Sequence, residues 1–314
     1  AGTVALVHFD SWHRATENVS DKKRYMIKFQ FARMQEPVEP KWNHQSRVWA
    51  PGTPDPSPNV SRDVWDWLCG STDQNCNVDL DDSASDLLAG SEHEPEPPLL
   101  NAAYTLARKG KTAVPQLVTA MREHASQTVD ETIAKTPDNF HGTNPTPSPA
   151  AIALSTIGSP AVLALIEVMT DKQWWVRAVA VSVLGRMGKE AVKSVPALVE
   201  AIRDEHWWVR RNAIEAIGMI GICSEELISD LAEALGDEDY RVRRNAAISL
   251  AKSGAKAAST VPALIPVLDD ENRYNRFYAA LALRRIGTPQ SQTALLDYLF
   301  KSRWCPITTK DDMS

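Results

Sequence analysis

The stretch Asp171-Lys172-Gln173-Trp174-Trp175-Val176-Arg177-Ala178-Val179-Ala180 returns 33 residues later as Asp204-Glu205-His206-Trp207-Trp208-Val209-Arg210-Arg211-Asn212-Ala213. It returns twice more, as Asp237…Val242-Arg243…Ala246 and as Asp270…Asn275-Arg276…Ala279. Gly188, Gly221, Gly254 and Gly287 keep the same period of 33. Several residue classes on one period are the mark of a stacked supersecondary unit. Inside a unit, Val176, Val179, Ala180, Val183, Leu184 and Met187 fall on one helical face, and Val195, Leu198, Val199 and Ile202 fall on another. Each unit is therefore expected to be two antiparallel helices. The Asp is expected to open the second helix by capping its free amides, and the Gly to end it in a left-handed turn. The predicted class is mainly α, an α-solenoid over residues 98–300.

Outward from this stretch the period weakens. Residues 101–110 and 150–158 keep the spacing from Ala102 to Gly110 and from Ala150 to Gly158. Pro137, Pro145, Pro147 and Pro149 predict a long loop over about 122–148. The last unit has Asn275 where the others have Val, and its final helix, with Leu295, Leu296 and Leu299, is short, as a terminal unit allows. Residues 301–314 form a tail in which Trp304-Cys305-Pro306 caps the last unit. The pattern of Asp, then Val-Arg, then Ala resembles the HEAT family, which implies a superhelical stack that binds proteins. In such a stack identical positions line up, so Asp171, Asp204, Asp237 and Asp270 are expected to face Arg177, Arg210, Arg243 and Arg276 in a structural ladder of charge-assisted hydrogen bonds. Trp174, Trp175, Trp207 and Trp208, with Tyr240 and Tyr274 at related places, stand in the turns before the Val-Arg helices. These rings either wedge the units together or form a protein-binding ridge, since Trp and Tyr dominate interface hot spots. In either case at least one ring of each Trp pair is expected to be exposed or at a unit boundary.

Residues 1–49 differ. Residues 3–9 and 24–31 read as strands flanking turn chemistry at Glu17-Asn18-Val19-Ser20-Asp21. Two strands bury no core alone. The string Trp12-His13-Arg14…Asn18-Val19-Ser20-Asp21…Arg24 resembles the closing strands of the phytanoyl-CoA dioxygenase family over residues 1–35. That resemblance implies a hairpin remnant of a double-stranded β-helix, with His13 as the distal Fe(II) ligand and Arg24 as the anchor of the 2-oxoglutarate carboxylate. The chemistry is coherent: imidazole suits non-haem iron, and a planar guanidinium suits a carboxylate. The family's His-x-Asp/Glu pair is not matched, because His8 and Asp10 lie too close to His13. The chain is therefore expected to be a piece of a longer Fe(II)/2-oxoglutarate dioxygenase, carrying a HEAT interaction domain and not catalytically competent alone. The alternative is a HEAT-repeat protein-binding scaffold; a bilin-lyase-like role has no residue pattern of its own.

Between these parts, residues 50–97 read as a linker, Pro-rich and then acidic, with one short helix over residues 64–68 packing Trp65 and Trp67. A net charge of -6 gives no nucleic-acid footprint, and there is no apolar run long enough for a membrane span. Cys69, Cys76, Cys223 and Cys305 lack metal spacing and are expected to be free thiols, which suits the cytoplasm.

Overall fold

The computed structural model describes residues 57–70, 96–135 and 148–304, together with Val48, Trp49 and Asp55. Residues 1–36 form a separate unit from 37–314. The expected strands of residues 1–49, His13 and Arg24 lie outside the described residues, as do the acidic stretch up to residue 95 and the tail from Cys305.

All regular structure among the described residues is helical. The helices are α1 (Pro58–Leu68), α2 (Glu96–Arg108), α3 (Val114–Lys135), α4 (Pro149–Ile157), α5 (Val162–Val168), α6 (Trp174–Met187), α7 (Val195–Ala201), α8 (Trp207–Ile220), α9 (Glu225–Glu233), α10 (Tyr240–Ser253), α11 (Val261–Val267), α12 (Arg273–Ile286) and α13 (Pro289–Trp304). Short 3-10 turns lead into most of the first helices of each pair. The second helices α2, α4, α6, α8, α10 and α12 pack side by side in chain order, and the first helices lie against them as another layer.

The 33-residue period explains the contact between the layers. Ala180, Ala213, Ala246 and Ala279 are all fully buried, and so are Leu184, Ile217, Leu250 and Leu283. Each buried aliphatic side chain of this size stabilises by about 1.5–3 kcal/mol against exposure. Small residues let neighbouring second helices approach. A Cβ on Gly185 would lie 2.9 Å from the Ala216 Cα, and one on Gly218 would lie 2.4 Å from the Ser249 Oγ. Polar side chains then tie helix to helix. Asn212 donates to the Ala178 carbonyl at 2.9 Å, Ser249 to the Ile214 carbonyl at 3.0 Å, and Arg285 to the Ala251 carbonyl at 3.0 Å.

Four expectations change. The final helix is not short: α13 runs 16 residues, to Trp304, through the start of the expected tail. Residues 122–135 continue α3 as helix, because every proline of that region lies beyond Lys135. The short helix of the linker is longer than expected, and the linker is not a spacer there: α1 packs on α2. Asn59 donates to Thr105 Oγ1 at 2.7 Å, its amide to Asn101 Oδ1 at 2.9 Å, and Arg108 pairs with Asp63 at 2.7 Å. Only one of its indoles packs: Trp65 lies 5.8 Å from Trp49, whereas Trp67 is 47% exposed. Finally, the repeated Asp is not the helix cap. Asp171, Asp204, Asp237 and Asp270 accept the amide two residues on, at 2.8–2.9 Å, and bend the chain one step earlier. The caps are Gln173, His206, Asp239 and Asn272, of which the last three accept a backbone amide. Two of the four repeat glycines behave as expected: Gly221 and Gly287 close α8 and α12 in the left-handed helical region, whereas Gly188 and Gly254 end α6 and α10 at φ 57° but with ψ of -130° and -133°.

Candidate protein-binding surface

The turns between helices present the recurring charges. Arg177 grips Asp204 of the next unit through Nε at 2.7 Å and Nη2 at 2.8 Å, while its Nη1 donates to the Asp171 and Lys172 carbonyls of its own turn. Arg210 holds Asp237, and Arg243 holds Asp270, in the same way. Arg276 binds the carbonyls of its own turn, at Asp270 and Glu271. Asp171, with no repeat Arg before it, is met at 3.5 Å by Arg122 of α3. These ion pairs are 7–14% exposed. The hydrogen bond that each guanidinium donates to its aspartate raises the pKa of Arg177, Arg210 and Arg243. Burial alone would raise the pKa of Asp270, but the Arg243 guanidinium and the Asn272 amide together pull it below the ordinary value. A glutamate at each step, Glu205, Glu238 and Glu271, is 83–87% exposed and adds little. The ladder is thus saturated by its own partners and holds unit to unit.

The aromatic residues are equally occupied. Trp174 stacks on His206 at 3.7 Å, nearly parallel, and meets Trp175 edge-on at 5.6 Å. Trp207 lies 4.8 Å from Trp208, and the Arg241 guanidinium sits 3.4 Å above Trp207. Asp239 holds Arg241 through Nε at 2.8 Å. Trp175 donates to Ser126 at 3.2 Å. All four tryptophans and Tyr240 are half-buried, and only Tyr274 of the six aromatic residues is exposed. The gap between successive turns takes the rings as a stack with His206 intercalated, so neither Trp of a pair has to face outward. His206 caps α8 by accepting the Trp208 amide at Nδ1. Burial is the largest cause that pushes its pKa down, to about 4, with Asp204 opposing and Arg177 and Arg210 adding to the effect.

What remains open is the solvent side of the second-helix layer. The helices α6, α8, α10 and α12 carry twelve Arg or Lys and one acidic residue, Glu215. The first helices α5, α7, α9 and α11 carry six acidic residues and no basic one. The two layers therefore differ in sign. Arg211 and Arg244 occupy one row, a period apart, and Arg186, Lys252 and Arg285 share another with Met219. Arg186, Arg244 and Lys252 make no ion pair among the described residues, unlike Arg177, Arg210 and Arg243. Burial chiefly lowers the pKa of Arg211, and Arg244 and Arg241 lower it further as like charges. A cavity of about 180 Å³ between α6 and α8 is lined by Ser182, Arg186, Arg211, Glu215 and Met219, among others. The sequence period had pointed to Asp and Arg in the turns; the helix-borne basic rows share that spacing but need the packing to show which face they occupy.

Among the described residues no group of His, Cys, Asp and Glu is placed to hold a metal. No single helix there is long and apolar enough to cross a membrane. Cys69 and Cys223 are free thiols; Cys76 and Cys305 lie outside the described residues.

Residues 162–252 and 228–304 match a family model described as HEAT repeats. The units stacked over residues 162–304 are similar to HEAT repeats. The crystal structure of Kap121p aligns with a TM-score of 0.54 at 15% identity, over 78% of this chain and 28% of that one. An engineered protein aligns at 0.42 with 20% identity, over 72% of this chain and 64% of its own. The complex of CpcE and CpcF of phycocyanin lyase from Nostoc sp. PCC7120 aligns at 0.35 with 20% identity, over 72% and 88%. No curated protein matches the chain. The chain thus spans less than two thirds of the engineered protein and under a third of Kap121p. At such identities the likeness concerns the fold.

Proposed function

We propose that this chain is a HEAT-repeat scaffold that binds a protein partner along the solvent side of its second-helix layer. The observation that carries this is the difference in charge between the layers, with unpaired cations on one of them. Ion pairs that hold the units together consume the turn charges, and ring packing consumes the tryptophans. The second-helix face keeps charge and cavity that no internal contact uses. A photoreactive side chain placed at Ser182 or Ile248 in cells of the source organism is expected to capture one defined set of proteins, and the same group at Glu200 or Glu226 on the first helices is not. Equal capture from both layers, or none from the second-helix face, counts against the scaffold reading.

The amino-terminal string supports a second reading, from sequence alone. His13 and Arg24 would be two elements of an Fe(II)/2-oxoglutarate site of the phytanoyl-CoA dioxygenase type, and the HEAT repeats would serve that enzyme as its interaction domain. One imidazole and one guanidinium are not a full ligand set, so no oxygenation step is derived for this chain. Bound iron would supply oxygen activation; His13 would contribute a ligand and Arg24 a grip on a carboxylate. An experimental structure of residues 1–49 with His13 and Arg24 on opposite faces of their hairpin would end this reading.

A further inference from the structure

We propose that the second-helix face takes an extended acidic peptide that bears carboxylates about every third residue, with apolar side chains between them. This rests on the scaffold reading and names its ligand class.

The geometry sets the spacing. Neighbouring helices stand roughly 8–10 Å apart, and an extended chain of the polyproline II type rises about 3.1 Å per residue and brings every third side chain back to the same face. A peptide crossing the second helices therefore meets a new unit at about every third residue. At successive units it would find Arg211 and Arg244 in one row, and Arg186, Lys252 and Arg285 in the other. The surface between the cations is apolar: Met219, Ile248 and Leu281 lie on the same face, and Phe277, 59% exposed, follows Arg244 in its row. Such interleaving suits alternating acidic and apolar side chains. It does not suit a phosphate backbone, which gains nothing from Met219 or Phe277 and is repelled by the acidic first-helix layer and the net charge of -6.

One residue marks where a carboxylate belongs. Glu215 pairs with Arg211 at 3.3 Å from within its own helix and is half-exposed, with 47% of its side chain accessible. It stands at the edge of the cavity that Arg186 and Arg211 line. A peptide carboxylate would compete with Glu215 for Arg211. Neutralising Glu215 should then strengthen binding, an effect that no general loss of stability produces.

The test uses the full chain and a rhodamine-labelled synthetic 12-residue peptide with Glu at every third position and Leu between, followed by fluorescence anisotropy. Saturable binding is expected, weakening about tenfold between 50 and 300 mM salt. The charge reversals Arg244→Glu and Lys252→Glu, made together in a chain whose circular dichroism is unchanged, should weaken it by a further factor of about ten. Glu215→Gln should tighten it several-fold. Glu226→Lys, on the other layer, should leave it unchanged. Binding that ignores salt and the double reversal overturns the proposal, as does tighter binding of a 12-nucleotide RNA or a DNA duplex. A gain of tenfold or more on replacing Asp79, Asp81, Asp82 and Asp86 by Asn would show that the chain's own acidic stretch fills the face, and overturns it too. If photo-capture stays confined to the second-helix face while the peptide fails to bind, the scaffold reading survives and this ligand class falls.

Discussion

Acid should loosen this stack through His206 before it reaches the carboxylates. The imidazole caps α8 by accepting the Trp208 amide at Nδ1, which requires that nitrogen to be unprotonated. It is also half-buried, 3.7 Å from the face of Trp174, with burial the main cause of a pKa lowered from 6.5 to about 4. The folded protein therefore resists a proton that the unfolded chain takes up near pH 6.5, so stability is full above that pH and declines as pH falls towards 4. At pH 5 the linkage amounts to about 2 kcal/mol for a fully shielded group; solvent screening of a half-buried ring brings it to about 1 kcal/mol. For a domain of this size that is a fall in Tm of about 2–4 °C. The control lies in the last repeat, where Asn272 caps the equivalent helix by accepting the Tyr274 amide at 2.9 Å and cannot titrate. His206→Asn should keep the cap and lose the pH dependence. Thermal unfolding followed by circular dichroism at pH 7.5 and 5.0, at constant ionic strength, compares the two chains. His124, whose pKa burial also lowers, is present in both chains and cancels. An equal fall in Tm for wild type and His206→Asn would refute the assignment.

The charge ladder gives a second expectation. Asp237→Asn leaves Arg210, 11% exposed, with a weaker acceptor and should cost about 2 kcal/mol in urea unfolding. Adding Arg210→Met should cost less than the sum of the two single changes, because the unpaired guanidinium goes with it. Gly185→Ala places a methyl 2.9 Å from the Ala216 backbone and should destabilise by about 1–3 kcal/mol, measured in the same way, although alanine favours the helix itself. Trp207→Ala removes the ring between Trp208 and Arg241 and should cost about 2–3 kcal/mol of stability; an unchanged Tm with lost peptide binding would instead make the ring part of a binding ridge.

The period of 33 residues was enough to infer stacked helical units, buried Ala and Leu positions, and Asp and Arg ladders linking successive units; that each Asp takes the Arg of the preceding unit came from the structure. Those features repeat because each unit meets the same neighbour, so local pattern and tertiary contact coincide. Four things depended on packing. The helix cap fell on His206, Asp239 and Asn272 and not on the conserved-period Asp, because the bidentate grip of the preceding Arg and the bend it accompanies take up that carboxylate. The docking of α1 on α2 followed from contacts with no period to announce them. The sequence left the aromatic residues open between wedging the units together and forming a ridge, since two adjacent rings cannot share one helical face; the space between turns, a property of the stack, took them in. The sign of each layer emerged last: Arg211, Arg244 and Lys252 stand as ordinary surface cations in a chain of net negative charge until the second helices line up and set them on one face.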